Sequence, residues 1–251
     1  NDFTEYLSRL YFPKNMVVAA AGGATAAAIG DLSTKYFSGF SGLGDSRKKA
    51  IKIEQSVPRL KVIKKKTEQA HFCFGVPAYD LFNPDRYTLA VLAAVLGGGM
   101  SSRLFTEIRE KRGLAYYVGT GTEIRTESGY FVSRAGVKLE KTGEAIKVIK
   151  EEMEKLAGKP VGEEELSRTK EMLKGHFILS LENSASVAEE MAGDLILENR
   201  IYLPEEIIKD LDKVTAKDVL RVARDIFVSN KLNLTVIGPY KEEDFVGLLG
   251  L

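Results

Sequence analysis

The residue types that most often carry chemistry are few and scattered in this chain. Its two histidines, His71 and His176, lie far apart, and neither has a glutamate at the spacing of His-x-x-Glu-His or His-Glu-x-x-His. A catalytic zinc needs imidazoles one helical turn apart plus a further ligand, so no zinc site can be written from these residues. The sole cysteine, Cys73, stands between Phe72 and Phe74 and reads as a small core residue. One thiol excludes an internal disulfide framework. Gly97-Gly98-Gly99 could cradle a phosphate, but a P-loop continues into Lys-Ser/Thr. Here Met100-Ser101-Ser102 follows instead, leaving a flexible loop with approachable backbone, or a plain helix break. Lys64-Lys65-Lys66 is a basic run without accompanying aromatics or glycines. A solvated strand face is expected there rather than a nucleic-acid contact.

The elements that hold these residues have clear punctuation. Asn83-Pro84 supplies an N-cap and a proline at the first helical position, opening a helix that runs to Leu96 and stops at the three glycines. A second helix begins at Ser101 or Ser102 and ends at Gly113, a C′ glycine. Tyr116–Arg125 and Tyr130–Lys138 read as strands joined by the turn Thr126-Glu127-Ser128-Gly129. One strand is expected from Leu60 to Val76, and a short one over Asn15–Ala21 followed by a helix ending near Phe37. Downstream, Ile146, Ile149, Met153 and Leu156 recur at steps of three and four, a buried helical stripe. A long helical region extends from Glu163 to about Glu198. Further helices start at Leu203-Pro204 and behind Thr215 as N-cap, and Leu232–Ile237 is a closing strand. Strands, helices, a hairpin, helices and a last strand argue an α+β layer structure.

Composition excludes several classes of partner. Lys+Arg 36 against Asp+Glu 35 leaves a net charge of +1, which favours neither nucleic acid nor an anionic membrane. Hydrophobic residues at 44% and charged residues at 28% are those of an ordinary globular protein. The longest small-apolar run, Met16–Ile29, is broken by Gly22 and Gly23 and is too short to span a bilayer. Asn1–Glu5 has neither the basic start nor the apolar core of a signal peptide, so a cytoplasmic protein is expected.

The two ends of the chain resemble each other. Tyr11-Phe12-Pro13-Lys14-Asn15-Met16 leads through an apolar run to Gly22, and Phe227-Val228-Ser229-Asn230-Lys231-Leu232 leads through another to Gly238. Taken as a repeat, the period is a little over roughly two hundred residues. The first copy would then be present only as its last strand and helix. On that reading residues 1–56 are the end of a preceding domain plus a linker, centred on Ser38–Asp45 and the basic Arg47-Lys48-Lys49. Residues 57–251 form the second domain.

One block is specific. Leu96-Gly97-Gly98-Gly99-Met100-Ser101-Ser102-Arg103-Leu104-Phe105, followed by Ile108-Arg109-Glu110-Lys111-Arg112-Gly113-Leu114-Ala115-Tyr116, closely resembles the non-zinc half of M16 (pitrilysin or mitochondrial processing peptidase-like) metallopeptidases. The resemblance implies an α+β fold, a two-layer antiparallel sheet with helices packed on one face. It implies a hydrolase whose first half binds zinc through His-x-x-Glu-His, and a second half, this one, without metal or cofactor of its own. Arg109 and Tyr116 would contact the substrate carbonyl, and Gly97, Gly98, Gly99, Ser101, Ser102 and Arg103 would bind substrate. Implied partners are a zinc-bearing half, on the same precursor or a separate subunit, and a peptide; a homodimer is compatible. Without the metal motif the chain alone would be inactive, and a non-catalytic peptide-binding or structural subunit of the same fold stays open beside the peptidase reading.

Overall fold

The computed structural model describes residues 1–41 and 50–250. Half of the expected linker Ser38–Asp45, from residue 42 on, and all of Arg47–Lys49 lie outside the described residues. The chain forms two compact units, Asn1–Ala50 with Lys174–Lys209, and Ile51–Leu173 with Asp210–Leu251.

The first unit takes α1 (Asp2–Leu10), an extended stretch, and α2 (Ala26–Phe37), whose N-cap Thr25 accepts the Ala28 N–H. The strand expected over Asn15–Ala21 is not one: Asn15 closes a single 3₁₀ turn, and the following residues pair with no sheet among the described residues.

The second unit is built on one sheet. Its strands are β1 (Arg59–Lys64) and β2 (Gln69–Ala78), then, after α3 (Arg86–Gly97), β3 (Ala115–Ile124) and β4 (Gly129–Lys138). After the helices α4 (Thr142–Gly158), α5 (Glu163–Ser180), α6 (Ser184–Glu198), α7 (Pro204–Lys213) and α8 (Ala216–Ile226) comes β5 (Asn233–Gly238), then a short α9 (Val246–Leu249). α5 leaves this unit at Lys174 and α7 re-enters it at Asp210, so α6 belongs to the first unit. The expected single strand Leu60–Val76 is thus two. Its lysine run ends β1, and Lys65–Glu68 connects it to β2. The expected helix Glu163–Glu198 is also two, because Asn183 caps α6 by accepting the Ser186 N–H at 2.8 Å.

The strand order is β1-β5-β2-β4-β3. β2, β4, β3 and the β2–β5 pair are antiparallel, but β1 and β5 run parallel, so the sheet is mixed rather than wholly antiparallel. Strand residues alternate faces. Phe72, Phe74, Phe131, Ala135, Leu234 and Val236 are buried on one face. α3, α4 and α8 cover that side. In α4 the predicted stripe Ile146, Ile149, Met153 and Leu156 is fully enclosed. α8 is fixed at its start by a capping box, Thr215 and Asp218 bonding each other's backbone N–H. The opposite face of the sheet is more exposed, with Gln55 accepting there from Asn233 Nδ2 at 3.0 Å. Cys73 sits there, exposed, and not in the core as its phenylalanine neighbours suggested: alternation sends it away from both of them.

The resemblance between the chain ends is structural too. Pro13–Asn15 and Ser229–Lys231 are both 3₁₀ turns, and Asp2–Leu10 and α8 are the helices before them, at a constant separation of 216 residues from Pro13 to Ser229 and from Gly22 to Gly238. Even the bonds recur, Asn15 N–H to Phe12 O at 2.8 Å and Lys231 N–H to Val228 O at 3.0 Å. Burial does not recur. Val219, Val222, Ala223 and Ile226 of α8 are enclosed, while Phe3 and Leu7 at the matching places are 87% and 48% exposed.

Candidate functional site

The glycine loop is shaped by close approach. α3 ends at Gly97, where an added Cβ would stand 2.4 Å from Thr120 Oγ1 and 2.5 Å from Thr120 N on β3. Only glycine lets the helix end and the strand backbone meet. Ser102 donates to Gly99 O at 2.6 Å, turning the chain into the next helix, and is itself buried. Ser101 is exposed beside it. Arg103 then reaches the first turn of α5, donating Nε and Nη2 to the two carboxylate oxygens of Glu165 at 2.8 Å each. Of the residues expected to bind substrate, Gly98, Gly99 and Ser101 are accessible, whereas Ser102 and Arg103 are engaged within the protein.

The second helix opens conventionally but widens into a π-helical turn over Phe105–Glu110, in which Lys111 N–H reaches back to Thr106 O at 3.0 Å. Nothing in the composition announced it, although such turns are frequent at functional sites. Gly113 follows with φ +58, the left-handed C′ position foreseen for it, and Leu114 N–H closes on Ile108 O. Three charges at this turn are paired with one another. Glu107 accepts from Lys111 Nζ at 2.6 Å and from Arg112 Nη1, which together hold its carboxyl down at about 2. Arg109 is outside this set. It is exposed, stacks its guanidinium 5.1 Å from the Phe105 ring centroid, and has no ion pair among the described residues.

β3 begins with an irregularity in register between Ala115 and Tyr117. The extra residue is Tyr116, 76% exposed and with no hydrogen bond recorded among the described residues. Its neighbour Tyr117 lies on the open sheet face, over Gly136, with its hydroxyl 3.2 Å from His71 Nδ1 and its ring stacked on the imidazole at 6.0 Å. Gly97, Gly98, Tyr117, Gly119, Gly121 and Arg134 line a cleft of about 370 Å³ between the loop and the strand. Among the described residues no three His, Cys, Asp or Glu side chains converge to hold a metal. Among the described residues no helix is long and apolar enough to cross a membrane.

The family described as the peptidase M16 inactive domain fits residues 1–173. The chain belongs to that family. Among relatives of the M16 inactive domain, the uncharacterized zinc protease SCO5738 of Streptomyces coelicolor is 30% identical over 239 residues, covering 93% of this chain and 52% of that protein. The uncharacterized zinc protease YmxG of Bacillus subtilis is 31% identical over 237 residues, covering 94% and 56%. The chain therefore spans about half the length of the curated relatives it matches. A protease from Helicobacter pylori superposes with a TM-score of 0.83 at 25% identity, over 94% of this chain and 58% of that one. A chain of complex III2 from Candida albicans reaches the same TM-score of 0.83 at 16% identity, over 99% and 62%, a likeness of fold alone.

Proposed function

We propose that this chain is the substrate-handling, zinc-free half of an M16 zinc metalloendopeptidase, hydrolysing peptides when combined with a half that bears His-x-x-Glu-His. One observation carries the reading. From Arg103 to Tyr117, Arg103, Lys111 and Arg112 are committed to carboxylates and Tyr117 to His71, while Arg109 and Tyr116 are left without an ion pair or side-chain hydrogen bond among the described residues. Hydrolysis of a peptide bond builds negative charge on the carbonyl oxygen, and donors fixed beforehand stabilise it. The guanidinium of Arg109 and the hydroxyl of Tyr116 are donors without acceptors in the described residues, held by a π turn and a strand bulge. Gly98, Gly99 and Ser101 would offer backbone and hydroxyl groups to the substrate chain, with Ser102 and Arg103 bracing the loop behind them. When bound by the other half, zinc would activate water and polarise the same carbonyl; among the described residues of this chain no set of ligands for it converges.

Residues 1–56 are, on this reading, the end of the zinc-bearing domain, and the 216-residue spacing of matching turns supports that. The zinc-bearing half is then the partner, whether on one polypeptide or two, and the single free thiol suits a reducing, cytoplasmic setting.

The test is kinetic. In the complete two-half enzyme, Tyr116→Phe and Arg109→Ala should each lower kcat by about 10²–10³ with little change in KM. Arg112→Ala should leave kcat within about twofold, since that charge serves Glu107. Unchanged turnover in both of the first two variants would leave the non-catalytic peptide-binding or structural subunit as the reading.

A further inference from the structure

The open face of the sheet is chemically one-sided. Registers place Arg59 and Lys61 of β1 on it beside Asn233 and Thr235, and Arg134 and Lys138 of β4 on it beside Cys73 and Gln69. All four cations are exposed, and none has an ion pair or hydrogen bond from its side chain among the described residues. The strands place a single carboxylate on the same face, Glu123, which already pairs with Arg125 at 3.1 Å. In a chain of net charge +1 this is a concentrated imbalance, not a reflection of composition.

We infer that this face holds an extended polypeptide through its carboxylate side chains, so that acidic peptides are the favoured occupants. The inference rests on the peptide-handling reading above and names the substrate class. Geometry and charge both support it. Lys61, Thr235, Cys73 and Arg134 form one row across β1, β5, β2 and β4. Three inter-strand steps separate its end cations by roughly 14 Å. Arg59 and Lys61 are two residues apart on one strand, about 7 Å, the spacing at which alternate side chains of an extended peptide repeat. Between the cations the surface is apolar enough to take the remaining side chains. A cleft of about 500 Å³ is lined by Cys73, Pro77, Tyr130 and Val132 together with Ile51 and Ile53, and Arg59 is also in its lining; the one carboxylate in that lining, Glu54, is paired with Lys52 at 3.2 Å. Arg134 faces the second cleft, next to Gly97 and Gly98, so the cationic row continues toward the loop proposed to meet the substrate.

The experiment is binding without turnover. A labelled, unstructured peptide with glutamate at alternate positions, and its glutamine counterpart, are titrated with the full 251-residue chain and followed by fluorescence anisotropy. The glutamate peptide should bind about tenfold tighter at low ionic strength, several few-fold exposed contacts acting together. The difference should shrink near 0.15 M salt, where the screening length is about 8 Å. Lys61→Gln combined with Arg134→Gln should remove the preference and spare binding of the glutamine peptide, and Arg59→Gln with Lys138→Gln should do the same. Lys217→Gln, on α8, should change neither. The inference is overturned if the two peptides bind alike or not at all, if Lys217→Gln weakens binding as much as the double variants, or if a single-stranded oligonucleotide competes as well as the acidic peptide. Any of these can occur while Tyr116→Phe still lowers kcat, so failure here does not imply failure of the catalytic reading.

Discussion

Glu165 holds Arg103 with both carboxylate oxygens, at 2.8 Å from Nε and from Nη2, and so fastens the glycine loop to the first turn of α5. Both side chains are mostly shielded, and the hydrogen bonds to Glu165 raise the already high pKa of the guanidinium against the opposing pull of burial. Hydrogen bonds between charged groups in such a place contribute about 1.5–3 kcal/mol. Glu165→Ala should therefore lower stability by roughly 2 kcal/mol in urea denaturation. Arg103→Lys should recover only part of the contact, because an ammonium cannot present the planar fork.

Gly97 and Gly113 predict different penalties for the same substitution. At Gly97 a methyl group would collide with Thr120, whose hydroxyl is shared with buried Ser133 at 2.8 Å and cannot withdraw freely. Gly97→Ala should cost about 1–3 kcal/mol as overpacking. Gly113 meets nothing within 4 Å but sits at φ +58, so Gly113→Ala should cost about 1 kcal/mol through backbone strain alone. Thermal melts of the two variants decide the order.

Glu107 makes a prediction with a sign. Hydrogen bonds from Lys111 first and Arg112 second hold its carboxyl at about 2, below the ordinary 4.5. A carboxyl depressed by folding stabilises the protein fully above its unfolded value, and loses that contribution as pH falls through the folded one. Glu107→Gln should thus be less stable by about 1 kcal/mol at neutral pH. The gap should close between pH 4.5 and 2, as read by urea denaturation across that window.

Leu7 and Val222 test whether α1 is an interior element away from its interior. Leu7→Ser should leave the melting temperature of the 251-residue chain unchanged, since that side chain is 48% exposed. Val222→Ser, fully enclosed on the matching helix, should cost about 2–4 kcal/mol. In the complete two-half protein Leu7→Ser should become destabilising, and an unchanged melt there would separate α1 from any buried role.

Local punctuation made much of this legible. Gly113 as a left-handed cap, Thr215 as N-cap and the β3–β4 hairpin fell within a residue of expectation, because each depends on a few neighbouring atoms. The block Leu96–Tyr116 was legible for the same reason. What was missed needed either a longer view or a stricter use of period. Cys73 between two core phenylalanines must face away from them in a strand, so its exposure was readable and overlooked. Phe3, Tyr6, Leu7 and Leu10 fall at helical spacing, a cue that α1 existed. The π turn had no such cue, since one displaced hydrogen bond leaves the residue pattern unchanged. Neither had the parallel pairing of β1 with β5, which joins residues far apart in the chain. The cationic face became visible only once that register put Lys61 and Arg134 in one row.

β5 is synthesised after the other four strands of its sheet, yet it lies inside that sheet, parallel to β1 on one side and antiparallel to β2 on the other. Until Asn233–Gly238 emerges from the ribosome, two strands wait with unsatisfied edges that any other chain could occupy. The pairing of Arg59 with Asn233 also closes a very long loop, which makes it a late and slow event. Nascent chains halted before residue 233 should be the aggregation-prone species in expression, and a chaperone that shields edge strands until β5 has been synthesised should raise the yield of folded protein more than slower synthesis of β1 and β2.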